Sequence, residues 1–134
     1  MKLYTHLNFG GNCEEAFLFY EKHLGGKITA MLKQDQLPSH NKPGMEKAVI
    51  HARMDVAGVE LIANDVPSSY FQPIRSSYLY LSLDSTESAD STWNILADGG
   101  QITIPIAETF FATRFGQLRD KFGVLWSIIH PKPM

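Results

Sequence analysis

Two histidines and a glutamate are the side chains of this sequence whose types and positions best suit acid–base or metal chemistry. His6 lies in the alternating segment LYTHLNF, and His51 and Glu60 lie on either side of a short predicted turn at Ala57-Gly58. Because side chains alternate between the two faces of a strand, pairing across this turn places His51 and Glu60 on one face. His6 lies on the polar face of its own strand, and we expect all three side chains on one cleft.

This set of two imidazoles and one carboxylate allows two interpretations. The first is a single divalent metal site formed by His6, His51 and Glu60, since such a set suits zinc, iron, manganese or nickel. The second is that no metal binds and each histidine lines the cleft, hydrogen-bonded to a neighbour. His6 and His51 are also the candidate catalytic residues, as general bases, because imidazole titrates near neutral pH.

A second group of side chains suits recognition of a small polar or anionic molecule. Arginine pairs with carboxylate or phosphate, and aromatic walls supply most of the contact area in a small-molecule pocket. The alternative for Arg53 is an ion pair with Asp55 or Glu60 at the rim of the cleft. The ligand-binding candidates are Tyr4, Arg53, Tyr78, Tyr80, Glu108 and Arg114.

The composition excludes several classes of protein. The 134 residues carry a formal net charge of −2 and no run of basic residues, so we expect no nucleic-acid partner. No apolar segment is long enough to span a membrane, and the first residues lack the apolar stretch of a signal peptide, so we expect a cytoplasmic protein with no membrane partner. Cys13 is the only cysteine, which excludes a disulfide within the chain and predicts a structural thiol.

The elements that must position these side chains occur twice. The stretches LGGKIT at 24–29 and DGGQIT at 98–103 lie 74 residues apart, and each follows an alternating segment and an apolar stripe at helical spacing. Asn12 and Thr86 are the predicted N-caps of two helices, and a glycine after each helix supplies the left-handed residue that ends it. Each half is predicted as β-α-β-β-β. Module 1 covers about 1–66, a connection covers 67–76, and module 2 covers about 77–134.

The face of each sheet that its helix leaves open is where we expect the site. Each helix must cover the aliphatic face of its sheet, so the opposite face, which carries tyrosine, histidine and arginine side chains, curves round a cleft. The long loop QDQLPSHNKPGM at 34–45 is of the kind that often covers a site.

Most of the chain is covered by three stretches: HLNFGGNCEEAFLFYEKHLGGKI, VIHARMDVAGVELIAND and ADGGQITIPIAETFFATRFGQLRDKFGVLWSII. They resemble the PhnB-like branch of the vicinal oxygen chelate superfamily, which includes glyoxalase I, bleomycin-resistance proteins and extradiol dioxygenases. The resemblance implies a single α+β domain over residues 1–134, in which two tandem βαβββ modules form a curved, incompletely closed, eight-stranded barrel-like sheet with helices on its outer face. It also implies a homodimer whose cavities are completed between chains.

The resemblance further implies metal ligands on the first and last strands of each module. Those positions fall at Tyr4 and at Ile62 or Glu60 in module 1, and at Tyr78 and Ser127 in module 2. Isoleucine has no ligand atom and serine is a poor ligand, so this sequence departs from the histidine and glutamate typical of the family.

The resemblance therefore implies a small-molecule-binding protein with one of two functions. The first is an enzyme of the lyase, transferase or dioxygenase type with a rearranged divalent-metal site. The second is a non-catalytic protein that sequesters a ligand or antibiotic without metal. PhnB-like proteins are often labelled as methyltransferases, but the sequence lacks the glycine-rich strand-to-helix turn of a Rossmann unit, so we expect no nucleotide cofactor.

Overall fold

The computed structural model describes residues 1–37 and 44–133, which form eight strands and two α-helices. In chain order these are β1 (Thr5–Phe9), α1 (Cys13–Leu24), β2 (Lys27–Lys33), β3 (Val49–Val56), β4 (Val59–Asp65), β5 (Leu79–Ser82), α2 (Thr86–Ala97), β6 (Gln101–Ala107), β7 (Ala112–Arg119) and β8 (Leu125–Pro131). Both halves have the predicted order β-α-β-β-β, which confirms the α+β fold class. Residues 38–43 of the predicted long loop lie outside the described residues.

The first compact unit, residues 1–72, holds a four-stranded sheet in the order β1-β4-β3-β2. Strand β1 runs parallel to β4, and β4 and β2 each run antiparallel to β3. Helix α1 packs on one face of this sheet, where Phe17, Tyr20, Met54 and Leu61 are buried. Burial of each of these side chains stabilises the fold by about 2 kcal/mol, and it determines which face stays open.

Two local features of this unit set its register. Ala57 and Gly58 have φ angles of 51° and 78°, which is typical of the two-residue type I′ hairpin and confirms the predicted turn. Asn12 is the N-cap of α1 as predicted, but its side chain makes no capping hydrogen bond. The carboxylate of Asp65 accepts the N–H of Cys13 instead, at 3.0 Å. A side chain from β4 therefore caps the helix that follows β1.

The second compact unit, residues 73–134, holds a sheet in the order β5-β8-β7-β6. Strand β5 runs parallel to β8, and β8 and β6 each run antiparallel to β7. Helix α2 packs on one face through the buried side chains of Trp93 and Leu96. Its N-cap is Ser85, whose hydroxyl accepts the N–H of Ser88 at 3.0 Å. The predicted cap, Thr86, is one residue too late because the serine before it already makes the capping bond.

The glycine pairs have the same two roles in both units. Gly25 and Gly99 follow the helices with φ angles of 70° and 76°, the left-handed conformation predicted for these positions. A Cβ on Gly26 would lie 2.8 Å from a methionine side chain of β3, and one on Gly100 would lie 2.2 Å from a backbone oxygen of β7. The second glycine of each pair is therefore required by close packing.

The strands form two separate four-stranded sheets, and the described residues close no barrel. Within residues 1–37 and 44–133, neither helix is long and apolar enough to cross a membrane.

Candidate functional site

The face of module 1 opposite α1 carries the predicted site residues of this half in one grid. In the register of the sheet, His6 of β1 lies opposite Ile62 of β4, and Ile62 lies opposite Arg53 of β3. His51 lies two residues before Arg53, and Glu60 lies two residues before Ile62. Since side chains two residues apart on a strand share a face, all five belong to one surface.

Arg53 is the centre of the contacts on this face. Its Nη1 donates to Glu60 Oε1 at 2.6 Å, and its Nε donates to His51 Nε2 at 3.2 Å. The guanidinium carbon lies 5.9 Å from the centre of the Tyr4 ring, within cation–π range. The side chains of Arg53 and Glu60 are 38% and 26% exposed, so the ion pair adds less than about 1 kcal/mol of stability. Its main effect is to fix the direction of the guanidinium.

His6 makes a separate contact beside this group. Its Nε2 is hydrogen-bonded to Oδ1 of Asn64. The Nδ2 of Asn64 donates to the backbone oxygen of Asp65 at 3.2 Å, which fixes the orientation of the amide. His6 is exposed, whereas His51 is half-buried. The structure thus gives the two predicted histidines different partners and different access to solvent.

The donor set of this face does not fit a divalent metal. The carboxylate of Glu60 is bound to the cationic guanidinium of Arg53, and the same guanidinium uses the lone pair of His51 Nε2. A metal ion between these donors would meet a like charge at contact distance. In the described part of the chain, no three His, Cys, Asp or Glu side chains are grouped so as to hold a metal ion. The predicted ligand set of His6, His51 and Glu60 is therefore not assembled there.

The corresponding row of module 2 is neutral. Tyr80 of β5 lies opposite Ser127 of β8, and Ser127 lies opposite Gln117 of β7. Gln117 Nε2 donates to Ser127 Oγ at 2.9 Å; Ser127 is buried, whereas Tyr80 is 63% exposed. Tyr78 precedes β5 and is half-buried. This row offers aromatic contact through Tyr80, and its polar side chains Gln117 and Ser127 are hydrogen-bonded to each other.

The other two predicted ligand-binding residues of module 2 lie elsewhere. Arg114 donates from Nε to Oδ1 of Asp90 on α2 at 2.9 Å, so it lies on the helix-covered face of the sheet. The prediction that Arg114 faces the pocket is corrected, because strand alternation turns it to the side of buried Leu118. Glu108 follows β6 and pairs with Lys132 at 2.8 Å. The hydrogen bond and charge of Lys132 hold the pKa of Glu108 below its ordinary value.

A buried carboxylate that the sequence did not single out organises the end of β4. Oδ1 of Asp65 accepts the N–H groups of Gly11 and Cys13 at 2.9 and 3.0 Å, and Oδ2 accepts that of Val49 at 2.9 Å. Its signal in the sequence is only a single acid at the end of the apolar segment VELIAND. Because Asp65 binds the N–H groups at the start of α1, this helix end is not an open anion site.

A cavity of about 400 Å³ lies beside Asp65 in module 1. Its walls include Gly10, Gly11, Lys47 and Pro67, and none of the predicted site residues lines it. It lies at the ends of β1 and β4 rather than on the face of the sheet, and is therefore distinct from the group around Arg53.

Cys13 is fully buried and unpaired. Burial raises its pKa to about 12, with further contributions from the negative charges of Asp65 and Glu14. The thiol stays protonated at neutral pH and is a poor nucleophile, in agreement with its predicted structural role.

Two βαβββ modules in one chain define the architecture of the vicinal oxygen chelate proteins. The fosfomycin resistance protein FosX of Listeria monocytogenes, in a structure with Mn(II), superposes with a TM-score of 0.66 over 96% of this chain and 90% of that chain, at 12% identity. This likeness concerns the fold alone.

The particular family follows from closer similarities. A family model described as 3-demethylubiquinone-9 3-methyltransferase matches residues 1–129. Protein PA1353 from Pseudomonas aeruginosa is 35% identical over 97% of both chains, with a TM-score of 0.87. The PhnB protein from Bacillus cereus is 32% identical over 97% of this chain and 99% of that chain, with a TM-score of 0.86. The chain belongs to this PhnB-like family.

Proposed function

We propose that this protein binds a small organic anion on the open face of the module 1 sheet, with Arg53 as the anchor and without a metal ion. The observation that supports the proposal most strongly is the guanidinium that Glu60 and His51 hold in one direction, at 2.6 and 3.2 Å. The same contacts use the donors that a metal-dependent enzyme would need. Of the two functions that the family resemblance implies, they favour non-catalytic ligand binding.

A guanidinium held in this way is suited to a carboxylate ligand. Within the described residues Arg53 Nη2 makes no hydrogen bond, and the side chain is 38% exposed. Because the side chain is already ordered, less conformational entropy is lost when a ligand binds. A hydrogen bond to a charged group contributes about 1.5–3 kcal/mol. A simple carboxylate is therefore expected to bind weakly, and a larger ligand gains contact area on the ring of Tyr4.

Methyl transfer is not part of the proposal, although the family description names it. In each described sheet one pair of strands is parallel and two pairs are antiparallel, and the helix packs on one face. The doubly wound folds that bind nucleotides have mostly parallel sheets with helices on both faces. We therefore propose that the protein uses no nucleotide cofactor.

Titration with sodium butyrate, followed by ¹H–¹⁵N correlation spectra, tests the proposal. Butyrate is expected to shift the signals of residues around Arg53, and Arg53→Ala is expected to weaken its binding by about tenfold or more. Arg75→Ala is the matched control, because Arg75 is exposed and lies outside both sheets. Equal affinities of wild type and Arg53→Ala would overturn the proposal.

Metal analysis of protein purified without added metal separates this function from that of a metal-dependent enzyme. We expect no stoichiometric zinc, iron, manganese or nickel, and no change of melting temperature with EDTA. Stoichiometric metal that is lost in His6→Ala or His51→Ala would favour the enzyme instead.

The family resemblance also leads us to propose a cytoplasmic homodimer whose cavities are completed between chains, with no nucleic-acid or membrane partner. Sedimentation equilibrium is expected to give twice the mass of the chain. A mass equal to one chain at micromolar concentration would contradict the dimer.

A further inference from the structure

The hydrogen bonds around His6 fix which of its ring nitrogens carries the proton. Asn64 Nδ2 donates to the backbone oxygen of Asp65 at 3.2 Å, so Oδ1 is the atom that faces His6 Nε2. An amide oxygen can only accept a hydrogen bond, and the neutral imidazole must therefore donate from Nε2. This leaves His6 with the lone pair of Nδ1 on an exposed side chain.

His51 is held in the opposite tautomer. Arg53 is always protonated, and its Nε–H donates to His51 Nε2 at 3.2 Å. Nε2 therefore carries the lone pair, and the proton of the neutral ring lies on Nδ1. The two histidines thus present different groups, a hydrogen-bond acceptor at His6 and a hydrogen-bond donor at His51.

These two groups lie on opposite sides of Ile62. His6, Ile62 and Arg53 are consecutive in one row across the sheet, and His51 lies two residues from Arg53 on the same strand. Neighbouring strands are about 4.8 Å apart, so the backbones of His6 and Arg53 are about 10 Å apart. A ligand that bridges them lies over an apolar side chain, with one end at His6 and the other at Arg53 and His51.

We infer that the site takes a small organic anion that also carries a hydroxyl group, such as a hydroxy acid. The anionic oxygens accept hydrogen bonds from Arg53 Nη2 and His51 Nδ1, and the hydroxyl donates to His6 Nδ1. Asn64 is the positioning residue, because its amide sets the tautomer of His6. This inference rests on the proposed anion site and adds a second group of the ligand that the site recognises.

Long-range ¹H–¹⁵N correlation spectra of the imidazole rings, recorded on the full chain at about pH 8, test the tautomers directly. The proton is expected on Nε2 of His6 and on Nδ1 of His51. Asn64→Ala is expected to give a mixture of tautomers at His6, whereas Asn64→Asp keeps an acceptor oxygen and retains the Nε2–H form. The same tautomer at both histidines of the wild type would overturn the inference.

Parallel titrations with 3-hydroxybutyrate and butyrate test the ligand class. The added hydroxyl is expected to strengthen binding to the wild type about fivefold, as one hydrogen bond would. Asn64→Ala is expected to lose this preference for 3-hydroxybutyrate over butyrate. Asn8→Ala is expected to keep the preference, because Asn8 is an exposed neighbour of Asn64 in the register.

The two titrations also distinguish recognition of the hydroxyl from binding of the anion at Arg53. Equal affinity of the wild type for both compounds would overturn the inferred recognition of the hydroxyl and leave the anion site in place. Failure of both compounds to bind would overturn the proposed function, and the inference with it.

Discussion

Modules 1 and 2 share one architecture and differ on the face that lies away from the helix. In both, the first strand runs parallel to the fourth and the helix covers the aliphatic side. The matched rows across the open face are His6-Ile62-Arg53 in module 1 and Tyr80-Ser127-Gln117 in module 2. Packing against the helix constrains one face of each sheet, whereas the other face is free to diverge. The chemistry specific to this protein is therefore to be sought where the two modules differ.

The two rows differ in charge and in whether their hydrogen-bonding groups already have partners. Gln117 donates to the buried hydroxyl of Ser127 at 2.9 Å, so these two groups of module 2 use one another. In module 1 the side chain of Arg53 is 38% exposed, and its Nη2 remains available for a further partner. Module 1 therefore has a polar group available to a ligand, whereas Gln117 and Ser127 of module 2 are hydrogen-bonded to each other.

At neutral pH, the largest difference in stability between the modules is expected at the second glycine of each pair. Gly100→Ala is expected to cost about 3 kcal/mol and Gly26→Ala about 1 kcal/mol. The reason is that the added Cβ meets a backbone oxygen of Arg119 at 2.2 Å in module 2 but the flexible side chain of Met54 at 2.8 Å in module 1. Urea unfolding of both variants measures the difference. Equal costs would show that the two junctions are packed alike.

A smaller effect is expected at the two buried carboxylates. Asp65 and Asp120 each accept at least three N–H donors, and Asn at either position leaves one of these donors without an acceptor, at a cost of about 2 kcal/mol. At Asp120 one donor is the indole Nε1 of Trp126, at 2.9 Å. Trp126→Phe removes that donor, so the double variant Asp120→Asn/Trp126→Phe is expected to lose about 1 kcal/mol less than the sum of the single variants.

Asp65 differs from Asp120 in the kind of donor that its substitution by Asn leaves unpaired. Its third donor is the backbone N–H of Val49, which only a substitution by proline would remove. Simple additivity at Asp120 and Trp126 in chemical denaturation would contradict the assignment of their hydrogen bond.

Alkaline pH is expected to destabilise the fold through Cys13 of module 1. Because burial raises the pKa of this thiol from 9.0 to about 12, the unfolded chain loses the proton first as the pH rises. The stability that the buried thiol contributes is complete below pH 9 and falls by about 1.4 kcal/mol per unit up to about pH 12. Thermal unfolding across this range is expected to show a steeper loss for the wild type than for Cys13→Ala. Parallel curves would contradict the raised pKa.

The smallest effect is expected on the open faces. Arg53→Ala and Gln117→Ala are each expected to change the free energy of unfolding by less than about 1 kcal/mol, since both side chains are partly exposed. Only Arg53→Ala is expected to weaken butyrate binding in the NMR titration. A similar loss in Gln117→Ala would mean that module 2 contributes to the site as much as module 1.

The fold could be predicted where it depends on local pattern. The positive φ angles of Gly25 and Gly99 and the turn at Ala57-Gly58 follow from residue type and spacing. The capping of α1 could not be predicted, because the carboxylate that accepts the helix N–H groups comes from Asp65, more than 50 residues away in sequence.

The shared face of three candidate site residues could be predicted, because it depends on strand alternation. Strand alternation placed His51, Arg53 and Glu60 on one face, as the register shows. Alternation does not reveal which side chains touch, so it leaves both a metal site and an ion pair open; the contact of Arg53 with Glu60 is what favours the ion pair in our proposal. The alternation of Arg114 with Leu118 already indicates the helix-covered face. The sequence does not indicate its partner, Asp90 on α2.

Butyrate affinity measured by calorimetry in the presence of EDTA, for the wild type and for Arg53→Ala, tests most directly whether a side chain rather than a metal ion anchors the ligand. The wild type is predicted to bind equally well with and without the chelator, and the variant is predicted to lose binding in both buffers. Binding that disappears with EDTA, returns with added zinc or manganese and survives in Arg53→Ala would contradict the central role of Arg53.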